Sequence, residues 1–291
     1  MGELGSIAAY AGDMVALPPR TGRARILMCP PTHFAVDYVI NPWMSGQVHQ
    51  VDQARAHAQW QGLFAALGEV AEIQALAPGS DVPDMVFTAN AGLVSGRTFV
   101  PSRFRHPQRQ PEEARFIAWF RDHGFDVAML PASIHFEGAG DALFDRAARR
   151  LWMGYGHRTD LAAATLLEDR LQMPVVPLQL IDPRFYHLDT CFCPLAEGGL
   201  LYYPPAFDTA SRQRIEQWVP DAGRIVVSEA DAQRFACNAI GLDDRVVLND
   251  ASDALKQRLA EAGFEVLATP LDEFMKAGGA AKCLTLRLDE P

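Results

Sequence analysis

Gly124-Phe125-Asp126-Val127-Ala128-Met129-Leu130-Pro131 and Gly263-Phe264-Glu265-Val266-Leu267-Ala268-Thr269-Pro270 repeat one pattern: Gly-Phe, an acid, Val, and a closing Pro. Each stretch follows an amphipathic helical pattern, about 112–122 and 252–262, and each leads through a Phe, Phe136 or Phe274, into a glycine-rich bend. The second begins 139 residues after the first (263 − 124). That is three steps of roughly 46, a period expected of propeller-like repeats. Fainter copies fill the gaps: Val175-Val176-Pro177-Leu178 leads to a loop with His187, and Ala71-Glu72-Ile73-Gln74-Ala75-Leu76 leads to Phe87-Thr88-Ala89-Asn90.

Working outward, a hairpin is expected after each loop: 91–101 around Ser95-Gly96, 141–154 around Arg146-Ala147-Ala148, 191–203 around Glu197-Gly198-Gly199, and 236–248 around Asp243-Asp244. The sum is about five modules, each with roughly one helix and three short strands. In a closed ring equivalent loops converge near the axis, so Asn90, Glu137, His187 and Cys283 are expected to meet. The competing explanation is that any helix-to-strand connection favours Gly and Pro.

Residues 1–23 mix Gly, Ala and Pro without a sustained period and read as an extension, leaving residues 24–291 as a single domain that starts on the strand Arg25-Ile26-Leu27-Met28-Cys29. At 49% hydrophobic residues the chain has ample material for a core. No apolar run approaches bilayer length, and the N-terminus lacks the basic-then-apolar order of a secretory signal, so no membrane partner and a cytoplasmic location are expected. A net charge of −10 argues against nucleic acid and is compatible with a cationic small molecule. The five cysteines, Cys29, Cys191, Cys193, Cys237 and Cys283, are odd in number and scattered, which speaks for reduced, buried thiols over a disulfide framework. No cluster has metal-site spacing, so no metal is expected.

Three segments hold the chemistry. In Lys276-Ala277-Gly278-Gly279-Ala280-Ala281-Lys282-Cys283 a thiol follows a small-residue bend, at the start of an expected terminal strand Leu284-Thr285-Leu286-Arg287-Leu288. Lys282 and the bend's N–H groups are expected to favour thiolate. In Phe185-Tyr186-His187-Leu188-Asp189 the aromatic approach desolvates a histidine, and Asp189 points to the same side if the segment is extended. A histidine can protonate a leaving amine and then deprotonate water. In Phe136-Glu137-Gly138-Ala139-Gly140-Asp141 the carboxylate of Glu137 could orient His187 or hold a cation, while Asp141 is expected to tie down the turn structurally. Asn90, taken alone, reads as a turn residue. A nucleophile, a proton carrier and carboxylates suit covalent attack on an electron-poor carbon.

In this order the three motifs resemble the guanidine-modifying amidinotransferase superfamily, which includes arginine deiminases, dimethylarginine hydrolases and glycine amidinotransferases. Met28-Cys29-Pro30-Pro31, Asp37 through Met44, Val86 through Val94 and Phe185 through Pro194 are more closely similar to the arginine dihydrolase domain of bifunctional arginine dihydrolase and ornithine cyclodeaminase proteins. The resemblance implies a five-bladed pseudo-symmetric α/β propeller (pentein) and a guanidino substrate such as arginine. It also implies a catalytic triad of Cys283, His187 and Glu137, with Asp189 on the guanidinium nitrogens. By the same carry-over Arg109 and Arg158 bind the substrate carboxylate, and Asn41 and Ala277 contact its amino-acid end; for the arginines the alternative is a solvated helix-end residue. The resemblance is also compatible with a homo-oligomer.

The departure that selects the branch is Asn90, where deiminases and dimethylarginine hydrolases generally carry Asp. A carboxylate only accepts hydrogen bonds and suits a guanidinium, whereas an amide also donates and suits the carbonyl of a ureido group. The resemblance with Asn90 therefore implies two hydrolytic rounds on one thiol, giving ornithine, two ammonia and carbon dioxide, with no metal or organic cofactor needed. Single hydrolysis to citrulline and amidino transfer are the alternatives.

Overall fold

The computed structural model describes residues 22–291, so the expected N-terminal extension lies, as far as residue 21, outside the described residues. The first module holds β1 (Ala24–Met28), α1 (Gln53–Gly68) and β2 (Ala71–Ala75). The second holds β3 (Gly92–Ser95), β4 (Thr98–Pro101), α2 (Pro111–Asp122) and β5 (Asp126–Val127). In the third are β6 (Ala142–Phe144), β7 (Leu151–Tyr155), α3 (Ala163–Leu171) and β8 (Val175–Gln179). The fourth comprises β9 (Phe192–Pro194), β10 (Leu200–Tyr202), α4 (Thr209–Trp218) and β11 (Arg224–Val226), followed by the single-turn α5 (Glu229–Ala232). The fifth comprises β12 (Ile240–Leu242), β13 (Arg245–Leu248), α6 (Asp253–Glu261) and β14 (Glu265–Ala268), followed by α7 (Asp272–Met275) and β15 (Leu286–Arg287).

Among the described residues one plan recurs in five three-stranded sheets: the first strand runs antiparallel to the second, and the second pairs in parallel with the third across a helical connection. The first sheet borrows its first strand from the C-terminus. β15 pairs with β1, Leu286 opposite Leu27, and the ring of the five-unit α/β propeller is closed by the two ends of the described chain. The expected hairpins all form. The terminal strand is shorter than expected, because residues 281–284 form a hydrogen-bonded turn in place of extended chain.

The helices form where an apolar stripe meets a cap. Ala56, Trp60, Leu63 and Leu67 are buried at helical spacing on α1, whose N-cap Asp52 accepts from Arg55 N. Asp208 and Ser252 cap α4 and α6 in the same way. On α2, Phe116 and Phe120 turn inward, and Phe120 stacks on Phe99 of β4 with centroids 3.6 Å apart. No helix among the described residues is long and apolar enough to cross a membrane.

Every first strand is entered through a tight turn. Short 3-10 helices over Thr88–Ala91, Gly138–Gly140 and Leu188–Thr190 precede β3, β6 and β9, and turns over residues 233–237 and 281–284 precede β12 and β15. The pseudo-symmetry therefore places five turns around one axis. Their side chains build the site.

Candidate active site

Cys283 sits inside a helical turn closed by Leu284 N donating to Ala280 O at 3.1 Å, and its own carbonyl accepts from Ala89 N of the second module's turn. It is not the first residue of a strand. The bend ahead of it needs glycine at Gly278, which has φ +85° and whose carbonyl accepts from the Tyr186 hydroxyl at 2.8 Å.

His187 and Glu137 form one buried pair, Nε2 to Oε2 at 2.7 Å. Arg158 Nη1 donates to the same carboxylate oxygen at 3.0 Å, and Arg105 N donates to the other. Burial opposes the Glu137 charge, but Arg158 and the His187 hydrogen bond outweigh it and hold the carboxyl well below its usual range. Burial drives His187 the other way, down to about 4 despite Glu137. The imidazole is therefore neutral near pH 7. With Nε2–H donated to Glu137, Nδ1 holds the free lone pair.

Cys283 and Asp189 form the second pair, with Sγ donating to Asp189 Oδ2 at 3.3 Å. His187 and Asp189 do not share one extended face: Leu188–Thr190 is a 3-10 turn, so the two side chains serve different partners. The expected thiolate is also absent at rest. Burial, then the adjacent Asp189 carboxylate, push the thiol well above its ordinary value. Lys282 does not overcome this: its charge lies near the sulfur, but its ammonium donates to the carbonyls of Ala139 and Thr285 and not to Sγ. Asp189 itself is raised to about 6, by burial against the opposing pull of Lys282.

Asn90 faces these pairs from the second module. Arg109 Nη1 donates to its Oδ1 at 2.8 Å, and since a guanidinium cannot accept, the amide's NH₂ is fixed on the opposite side, where it donates to Glu137 O at 3.3 Å. Gly140 makes room for it: a Cβ there would lie 2.3 Å from Asn90 Nδ2 and 3.3 Å from His187 Nδ1. Arg109 is buried and doubly bonded to Glu112, so it is not a solvated helix end. Arg158 is buried too, lying over the Tyr186 ring and donating to Ile40 O. Asn41 Nδ2 donates to Ala277 O at 3.0 Å. Asp141 accepts from Thr159 and from Leu188 N, and Thr159 in turn accepts from Glu137 N, which ties the Glu137 and His187 loops together.

A pocket lined by Asn41, Asp84, Asn90, Arg109, Arg158, Tyr186, Ala277 and Cys283 brings the nucleophile together with the expected substrate-binding residues, while His187, Glu137 and Asp189 lie behind its wall. Sequence reasoning missed two of the polar groups. Asp84 accepts from the Tyr38 hydroxyl on one oxygen, while its Oδ1, like Asp189 Oδ1, is buried with no donor among the described residues. Asn238 donates to the Cys283 sulfur. The signal for it was present, because Phe235-Ala236-Cys237-Asn238-Ala239 repeats the pattern of Phe87-Thr88-Ala89-Asn90-Ala91. Among the described residues no group of His, Cys, Asp and Glu could hold a metal ion.

Residues 31–289 match the family model described as N,N dimethylarginine dimethylhydrolase, eukaryotic. The chain is 57% identical over 267 residues to the bifunctional arginine dihydrolase/ornithine cyclodeaminase ArgZ of Synechocystis sp., covering 92% of this chain and 38% of that protein. It is 40% identical to the N(G),N(G)-dimethylarginine dimethylaminohydrolase of Mycobacterium tuberculosis, over 97% of this chain and 90% of the other. The crystal structure of the N-terminal domain of an ArgZ mutant bound to substrate, an arginine dihydrolase from Cyanobacteria, superposes with a TM-score of 0.91 at 57% identity, covering 92% of this chain and 99% of that one.

Proposed function

The chain belongs to the N,N-dimethylarginine dimethylhydrolase family, within the guanidine-modifying amidinotransferase superfamily, and from that membership we propose that it is an arginine dihydrolase, converting arginine and two waters to ornithine, two ammonia and carbon dioxide. The observation that carries the reading is the orientation of Asn90: Arg109 turns its NH₂, not its carbonyl, toward the Glu137 loop. The free oxygens of Asp84 and Asp189 suit a cation, and the amide donor suits the ureido oxygen formed after the first round.

The resting protonation states define the steps. A guanidinium arriving beside Asp189 places positive charge next to Cys283 and favours the thiolate, while the thiol proton passes to His187 Nδ1. Sγ adds to the guanidinium carbon, and the imidazolium, steadied by Glu137, gives its proton to the departing ammonia. Neutral His187 then takes a proton from water, the hydroxide adds to the thiouronium carbon, and the C–S bond breaks to leave the ureido group. In the second round Sγ adds again and negative charge grows on the ureido oxygen, where Asn90 Nδ2–H donates. A second ammonia leaves, and water frees a carbamate that loses carbon dioxide. Arg109, Arg158, Asn41 and Ala277 hold the amino-acid end in this reading. The free buried thiols suit a reducing, cytoplasmic compartment.

Purified protein given arginine is expected to release two ammonia per ornithine; citrulline accumulating as the end product would overturn the assignment. The family model and the mycobacterial relative favour one second reading, hydrolysis of dimethylarginine, which release of dimethylamine from that compound decides.

A further inference from the structure

Asn238 is buried completely in the turn that precedes β12, and both halves of its amide are fully used. Oδ1 accepts from Ala280 N at 3.0 Å and from Cys283 N at 3.1 Å. Nδ2 donates to Asp189 O at 3.0 Å and to Cys283 Sγ at 3.1 Å. A flipped amide would set its NH₂ against two N–H groups, so this orientation is the one the surroundings permit. The backbone joins in, with Lys282 N donating to Asn238 O at 3.2 Å. Phe235, three residues earlier, holds the left-handed conformation at φ 58° that a bulky residue seldom adopts, and its ring packs on Trp43. A strained turn thus aims a donor at the nucleophile.

The protonated sulfur spends its own hydrogen on Asp189 and accepts from Asn238. Once the proton leaves, Asp189 turns from acceptor into a repelling neighbour, whereas Asn238 still donates. We propose that Asn238 is a catalytic residue of this site, its Nδ2–H holding Cys283 Sγ as the thiolate that attacks carbon and as the leaving thiolate when each covalent adduct breaks down. Asn238 occupies in the fifth module the place that Asn90 occupies in the second, two residues before the first strand, so one ring position supplies a donor to the substrate and a donor to the sulfur. The inference rests on the proposed thiol chemistry but is tested without arginine.

The experiment is alkylation of Cys283 by iodoacetamide, followed on its own peptide by mass spectrometry, for the parent, Asn238→Ala and Asn238→Asp. Asn238→Ala removes the donors without adding charge, and Asn238→Asp keeps the acceptors for Ala280 N and Cys283 N but adds a carboxylate beside the sulfur. Loss of a hydrogen bond to a charged sulfur raises the thiol pKa by about one unit. Allowing for the greater intrinsic nucleophilicity of a more basic thiolate, the alkylation rate below the midpoint is expected to fall about 3- to 4-fold in Asn238→Ala, and further in Asn238→Asp, whose charge also opposes the thiolate. An unchanged rate in a variant that keeps the parental melting temperature overturns the proposal and leaves Asn238 as a strut. If the variants do not fold, NMR of the parent decides: the Asn238 side-chain amide proton is expected to shift with the ionisation of Cys283, and a pH-invariant signal overturns the proposal. Failure of arginine to give ornithine, by contrast, sinks the functional reading and leaves this result untouched.

Discussion

Asn90→Asp tests whether the second hydrolytic round depends on a donor. The substituted carboxylate keeps the contact with Arg109, now as a buried ion pair in place of the 2.8 Å amide bond, so the fold is expected to hold or tighten. On the other side the change is adverse: the 3.3 Å donation to Glu137 O becomes a contact between two acceptors, and no hydrogen faces the ureido oxygen. Removing one oriented donor from a developing oxyanion costs about 10²–10³ in rate. The first round works on a cation that only donates, so a carboxylate at 90 hinders it far less. The assay is a quenched time course on arginine with ornithine, citrulline and ammonia counted together, and a parallel course on citrulline. The expected outcome is a change from two ammonia per ornithine toward one ammonia per citrulline, with citrulline turnover lowered about 10²–10³-fold. Parental citrulline turnover in Asn90→Asp would refute the reasoning, because the donor would then be dispensable.

Glu137→Gln keeps the shape of the side chain and removes the charge shared by His187 and Arg158; activity is expected to fall about 10²–10⁴-fold, and urea unfolding to show a loss of about 3–5 kcal/mol from the unpaired Arg158. The acid limb of kcat/KM is expected to follow Asp189, raised to about 6, because protonation below that value removes the charge that receives the guanidinium, while His187 stays neutral down to about 4; a profile flat from pH 7 to 5 contradicts this. Gly140→Ala is a steric probe free of backbone strain, since the new methyl would sit 2.3 Å from Asn90 Nδ2; ornithine formation is expected to be lost while thermal melting shows about 1–3 kcal/mol of destabilisation.

The ring was legible because its repeat is written in local chemistry. A helix, a Gly-Phe exit and a Pro stop recur at two of the parallel crossovers, so α2 and α6 could be placed to within a residue, and three of the four expected hairpins likewise, whereas the fourth begins at Ile240 and not at 236 because a turn occupies 233–237. Closure by β15 was hidden, because a two-residue strand has no periodicity to read, and its pairing with β1 is a contact across nearly the whole chain.

At the site, identity was easier to read than state. The order Glu137, His187, Cys283 named residues that all prove buried in the ring's turns, the first two paired with each other and Cys283 with Asp189, but a thiolate was expected from the basic neighbour Lys282, and neighbours in sequence are not neighbours in a turn. The Lys282 ammonium lies against carbonyls, whereas the groups that set the sulfur's protonation, Asp189 and Asn238, come from the fourth and fifth modules. Pseudo-symmetry would have supplied Asn238, since a ring of five equivalent turns with four occupants assigned has one place left. The repeated Phe-x-x-Asn-Ala at 87–91 and 235–239 fills it. In a closed ring, then, the register of one module can predict the position of a functional side chain in another, as Asn90 and Asn238 show by each standing two residues before its first strand.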